Sequence, residues 1–242
     1  MALSADGNTA IVGGYLDDNQ TGAAWVWTRS GGVWTQQGPK LVGSNGLGLQ
    51  GRSVSLSNDG STAIIGGPGA GAWVWTRSAG AWRQEGRLIG SNDVGSAQGQ
   101  SVSLSADGNT AIVGGFLDNG GIGAAWIWTR SGGVWTQQGE KLVGSGAVAS
   151  PEQGFSASIS GDGNRAILGG VFDNGGAGAA WVWTRSGDTW SQQGTKLLGS
   201  GAVGLANQGI SVSLSGDGNT AMVGGSFDKD GAGAAWVFTA SR

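Results

Sequence analysis

Residues 104–115 read LSADGNTAIVGG, and the chain repeats this phrase, with small changes, four more times. The other copies start at Leu3, Leu56, Ile159 and Leu214, and each is followed by a Trp-rich stretch. The aspartates of the five Asp-Gly pairs are Asp6, Asp59, Asp107, Asp162 and Asp217, spaced by 53, 48, 55 and 55 residues. A period near 50 residues that carries several strands is the mark of a propeller array, not of a single conventional core. The reading therefore predicts an all-β chain, a β-propeller of five repeated blades closed into one domain. Those blades are expected over residues 1–45, 50–92, 98–146, 153–201 and 208–242.

The third copy shows how a blade is built. Residues 98–105, QGQSVSLS, set Val102 and Leu104 against Ser101, Ser103 and Ser105, the period of two that marks a strand. ADGN (106–109) is a hairpin turn in which Asp-Gly supplies the positive φ. TAIVGG (110–115) is a short second strand, apolar on both faces, and FLDNGGIG (116–123) is a loop. AAWIWTR (124–130) is a third strand, and SGG (131–133) turns it into a fourth, VWTQQGEKLVG (134–144). No stretch sustains an apolar i, i+3, i+4 pattern, so essentially no helix is expected.

Composition narrows the function classes. Gly supplies 52 of 242 residues, yet 13 Trp beside five Phe and one Tyr are far too many aromatics for a disordered chain. Net charge is −3 and the 13 Lys and Arg are scattered, so no basic stripe awaits nucleic acid. Cysteine is absent, which excludes disulfides and zinc-thiolate sites. Histidine is absent too, and with it the commonest general base and metal ligand. Apolar runs of four or five residues are too short for membrane insertion. MALSADG has neither the basic nor the apolar region of a signal peptide.

Each of the first four copies carries a Trp trio: Trp25, Trp27 and Trp34; Trp73, Trp75 and Trp82; Trp126, Trp128 and Trp135; Trp181, Trp183 and Trp190. Such rings can serve as platforms for sugars or fill the wedge between blades. Identical spacing in every copy favours the wedge, where large flat side chains bury much area.

The repeated phrase QG-x-S-V-S-L-S-x-D-G-N-T-A-I-V-G-G, followed by GAAWVWTRSGGVWTQQGxKLVGSG, resembles the FG-GAP repeats of the integrin-alpha-type β-propeller, especially bacterial ones. The resemblance covers nearly the whole chain. Phe-Gly of that family is replaced by Gln50–Gly51, Gln98–Gly99, Gln153–Gly154 and Gln208–Gly209; Gly-Ala-Pro becomes Gly-Gly, closest as Gly66–Gly67–Pro68. The family's best-known members close with seven blades, whereas five copies are present here. The resemblance implies a binding protein used outside the cell or at its surface. It also implies a calcium loop of the form D-x-[DN]-x-D-G-x-x-D. Only its fifth position is kept, as Asp6, Asp59, Asp107, Asp162 and Asp217; Ser or Ala fills the first, third and ninth positions. One carboxylate per loop is a poor cage for a hard cation, so these aspartates are expected to cap turns, and no metal or cofactor is expected.

A second acidic loop follows the Gly-Gly pair. It holds Asp17, Asp18 and Asn19; Asp118 and Asn119; Asp173 and Asn174; Asp228 and Asp230. The second copy lacks it. These residues are the first candidates for a binding surface, because loops that vary on a repeated scaffold are where function concentrates. Lys40, Lys141 and Lys196 recur at a strand end and read as surface residues. Catalysis is not expected: Ser and Thr have no His to activate them, and near-identical repeats do not build an asymmetric site.

The last copy stops after its third strand. Blade five is therefore expected to present an open edge carrying Trp236 and Phe238, with Arg242 nearby as a charged guard. The functional expectation is a non-catalytic scaffold for protein–protein interaction or self-assembly through that edge. The alternative is a glycan-binding lectin using the repeated Trp and the Asp/Asn loops.

Overall fold

A computed structural model describes residues 1–45 and 48–240. The fold is an all-β propeller of five antiparallel blades. Blade one holds β1 (Ala2–Leu3), β2 (Thr9–Gly14), β3 (Ala23–Ser30) and β4 (Val33–Gln36). Blade two holds β5 (Ser53–Leu56), β6 (Thr62–Gly67), β7 (Gly71–Ser78) and β8 (Ala81–Leu88). Blade three holds β9 (Ser101–Leu104), β10 (Thr110–Gly115), β11 (Ala124–Ser131) and β12 (Val134–Gln137). Blade four holds β13 (Gln153–Ile159), β14 (Arg165–Gly170), β15 (Ala179–Ser186) and β16 (Thr189–Gln192). Among the described residues blade five holds three strands, β17 (Ser211–Leu214), β18 (Thr220–Gly225) and β19 (Ala234–Thr239). Arg242, the expected guard of its edge, lies outside the described residues.

Each blade has two unlike faces, and strand register explains them. Leu104, Ala111 and Trp128 are cross-strand partners, as are Val102, Val113 and Trp126. These six side chains point back and form one cluster with Ile64, Val74 and Leu88 of blade two. Ile112, Ala125 and Ile127 point forward, onto Leu168 and Trp183 of blade four. The junctions thus seat aromatic rings of one blade on an aliphatic face of the blade before it. Trp73, Trp126 and Trp181 are fully buried, and their Nε1–H groups donate to the carbonyls of Ser44, Ser91 and Ser145. Trp75, Trp128 and Trp183 bury their N–H without a partner among the described residues, so burial of the ring alone must carry those positions.

The glycine pairs have a junction role too. A Cβ on Gly114 would collide with the carbonyl of Gly154 in the next blade, and Gly66 stands in the same relation to Gly99. Only glycine allows two backbones to come this close. The glutamine before each such glycine is buried and grips the backbone of the preceding strand end. Gln98 Oε1 accepts from the N–H of Gly90 at 2.7 Å while its Nε2 donates to the Gly90 carbonyl at 3.2 Å. Gln50, Gln153 and Gln208 do the same to Gly43, Gly144 and Gly199. Residues 98–100 were expected to extend β9, but β9 begins at Ser101; in blade four the gripping Gln153 itself opens β13.

The expectation of a closed ring is corrected. A string of backbone bonds runs from Ala5 N–H to Asn58, Asn58 to Ala106, Ala106 to Gly161 and Gly161 to Gly216. Among the described residues no hydrogen bond continues it from Gly216 to Ala5, and no core cluster joins blade five to blade one. Val12 of blade one is 40% exposed and Met222 of blade five 51%, where their counterparts in the inner blades are buried.

Candidate functional site

The five Asp-Gly turns are self-contained. Asp107 accepts the Ser105 hydroxyl at 2.6 Å, the Asn109 backbone N–H at 3.0 Å and the Asn109 side chain at 3.1 Å. The other four turns repeat the scheme with Ser or Asn donors. Partial burial pushes the Asp59, Asp107 and Asp162 carboxyls up, and these donors outweigh it and hold them below the ordinary carboxylate range. Donation by Ser4 and Ser215, followed by the Asn contacts, lowers Asp6 and takes Asp217 down to about 2. The oxygens that would face a cation are engaged in closing the turn. No group of three or more His, Cys, Asp or Glu converges among the described residues.

The loops after the Gly-Gly pairs are tight turns, each with two successive central residues at positive φ: Asp18 and Asn19, Asn119 and Gly120, Asn174 and Gly175, Lys229 and Asp230. Their first aspartate faces inward. Asp118 and Asp173 are buried, accept the backbone N–H of Val94 and Val148, and pair with Lys141 and Lys196, both at 2.5 Å. Asp17 pairs with Lys40. The three lysines thus pin loops to strand ends, a role the sequence reading had given simply to the surface. Asp228 accepts from the Val203 backbone N–H at 2.7 Å, and no lysine pairs with it among the described residues. Asp18, Asn19, Asn119, Asn174 and Asp230 form the outer part of these turns and are exposed.

Where blade two lacks this loop, a cavity of about 640 Å³ opens between blades one, two and three. Tyr15, Arg52, Pro68, Asp93, Gln100 and Phe116 line it. The Arg52 guanidinium lies 5.2 Å from the Tyr15 ring centre, and Phe116 meets Phe155 edge to face. Tyr15, Pro68 and Phe116 hold one repeat position, directly after Gly-Gly; Arg52, Gln100 and Phe155 hold another, directly after Gln-Gly. The sequence signal was therefore present, as variation at fixed places in an otherwise constant phrase.

A second opening lies at blade five. Trp236 packs back onto Gly199 and donates to Ser200 at 2.9 Å, and Phe238 joins the core shared with blade four. The two aromatic residues of the expected assembly edge are turned inward. What blade five leaves bare is the outer backbone edge of β19, which pairs with β18 alone among the described residues, and, on its forward face, Met222 and Val237. A cavity of about 320 Å³ beside β19 is lined by Val182, Gln193, Leu197, Leu214 and Phe238.

No known family profile and no curated protein matches this chain. No helix among the described residues is long and apolar enough to cross a membrane.

Proposed function

We propose that this propeller is a non-catalytic scaffold that binds other protein chains or copies of itself, with blade five as the contact region. One observation carries the reading: at blade five, surface that every inner junction buries is bare, with Met222 51% and Val237 61% exposed beside an outer strand edge that no described strand pairs. Bare apolar edges pair with neighbours unless they are blocked. The finer reading is a propeller of the integrin-alpha, FG-GAP type, which implies use outside the cell or at its surface; the repeated motif supports it.

Sedimentation velocity over a wide concentration range tests the self-binding arm. The expected result is concentration-dependent association that Met222→Lys and Val237→Lys weaken. A monomer at every concentration would sink self-assembly and leave partner binding to be judged by the site described below. The lectin reading draws on the exposed Asn and Asp of the loops and on Trp34, since Trp73, Trp126 and Trp181 are sealed inside junctions.

A further inference from the structure

The gap beside β19 has three filled counterparts in the same molecule. In each, a Trp from the fourth strand of one blade reaches the blade before it. Trp82 donates its Nε1–H to Gln37 at 3.1 Å, Trp135 to Glu85 at 3.0 Å and Trp190 to Gln138 at 2.9 Å. Each ring packs against the core cluster of its junction. The residue of blade four equivalent to Gln37, Glu85 and Gln138 is Gln193, which is exposed. The core around it is unfinished: Val182, Leu197, Leu214 and Phe238 are only partly buried, and the 320 Å³ cavity takes the place of the missing ring.

We propose that this gap is a receptor for an extended segment of another chain that carries a tryptophan. The inference rests on the scaffold reading above and names its partner chemistry. The segment would add to β19 as an antiparallel fourth strand, the mode in which backbone bonds give affinity and a side-chain pocket gives specificity. Register fixes the details. In blade three, Trp135 stands opposite Arg130 and Gln137 opposite Trp128. The incoming Trp therefore lies opposite Ala240, and a residue two positions further along opposite Phe238. Its indole enters the cavity and donates to Gln193. In the filled junctions an arginine also covers the ring, as Arg130 does at 5.3 Å from the Trp135 ring centre. Ala240 holds that position in blade five, so no arginine of the receiving strand covers the indole; the cavity offers its apolar floor, Gln193 and the side chain of Arg165, which already donates to Gly218 and Asn219. Binding is accordingly weaker than the intramolecular contact and reversible.

The test uses the whole chain and a labelled synthetic peptide, SGGVWTQQGEKLVG, the sequence of residues 131–144. Fluorescence anisotropy should show saturable binding, and the Trp→Ala peptide should bind about tenfold or more weakly, as expected for an anchoring aromatic. Leu197→Lys in the protein should abolish binding while its circular dichroism spectrum stays unchanged. Hydrogen exchange should slow across β19 when the peptide is present. No binding at millimolar peptide, or equal binding of the Trp and Ala peptides, overturns the proposal. A chain that self-associates yet ignores the peptide overturns this inference and leaves the scaffold reading standing. A monomer that takes the peptide overturns self-assembly alone.

Discussion

The junction between blades two and three and the bare forward face of blade five present the same chemistry, once filled and once empty. In the filled junction Ile64 meets Val113, Gly66 accommodates the carbonyl of Gly99, and Trp126 is sealed over Gly90. At blade five, Met222 is exposed and nothing in the next blade's place approaches Gly224. The comparison teaches that a blade is not a self-sufficient unit. Its sheet forms from local pairing, but its stability comes from being clasped on both sides, as nearest-neighbour terms dominate in repeat proteins.

The largest break in that comparison should come from the indoles. Trp126→Ala removes a fully buried ring and is expected to cost about 3–5 kcal/mol in urea unfolding. Trp25→Ala, the same position in blade one with no blade behind it, should cost distinctly less. Equal losses would mean that the ring stabilises its own sheet and not the junction.

A smaller effect should separate the glycines. Gly114→Ala forces a Cβ against both the Gly154 carbonyl and Ser101, and overpacking of this kind costs about 1–3 kcal/mol. Gly224→Ala meets only the side chain of Ser211, which can rotate away. Its melting temperature should stay close to that of the parent chain.

The smallest effect should not distinguish the two regions at all. The Asp-Gly turns are built alike in inner and terminal blades, and their carboxyls titrate below the ordinary value of 3.8. A lowered folded-state pKa gives stability that is present above the unfolded value and lost as pH falls through the folded one. Thermal stability should therefore hold from neutral pH to about 5 and decline from about 4 towards 2. Ser105→Ala and Ser215→Ala, which each remove a donor, should both flatten that decline. A response confined to the inner blade would show that the turns depend on their junctions.

Much of the fold was legible because its signals are local. Alternation in SVSLS, the Asp-Gly hairpin and the Trp-x-Trp strand each report a strand or turn from neighbouring residues. The candidate sites were legible in part. The Asp-Gly turns were readable as caps because Asp, Ser and Asn lie within two residues of one another. Asp118 could not be seen as an inward-facing partner of Lys141, since 23 residues separate them. The role of Gln98 was hidden for another reason: its partner Gly90, eight residues back, ends the preceding blade, so the grip exists only once two blades are packed.

By itself, the sequence determined the blade: five copies, their strands, their turns and the alternation that makes both faces pack. Only the tertiary structure decided which face points backward, which Trp fill junctions and where the molecule is left open. The physical reason is that a repeated phrase states the same surface every time. Whether Val12 or Ile65 is buried depends on a neighbouring sheet, which the phrase itself does not contain.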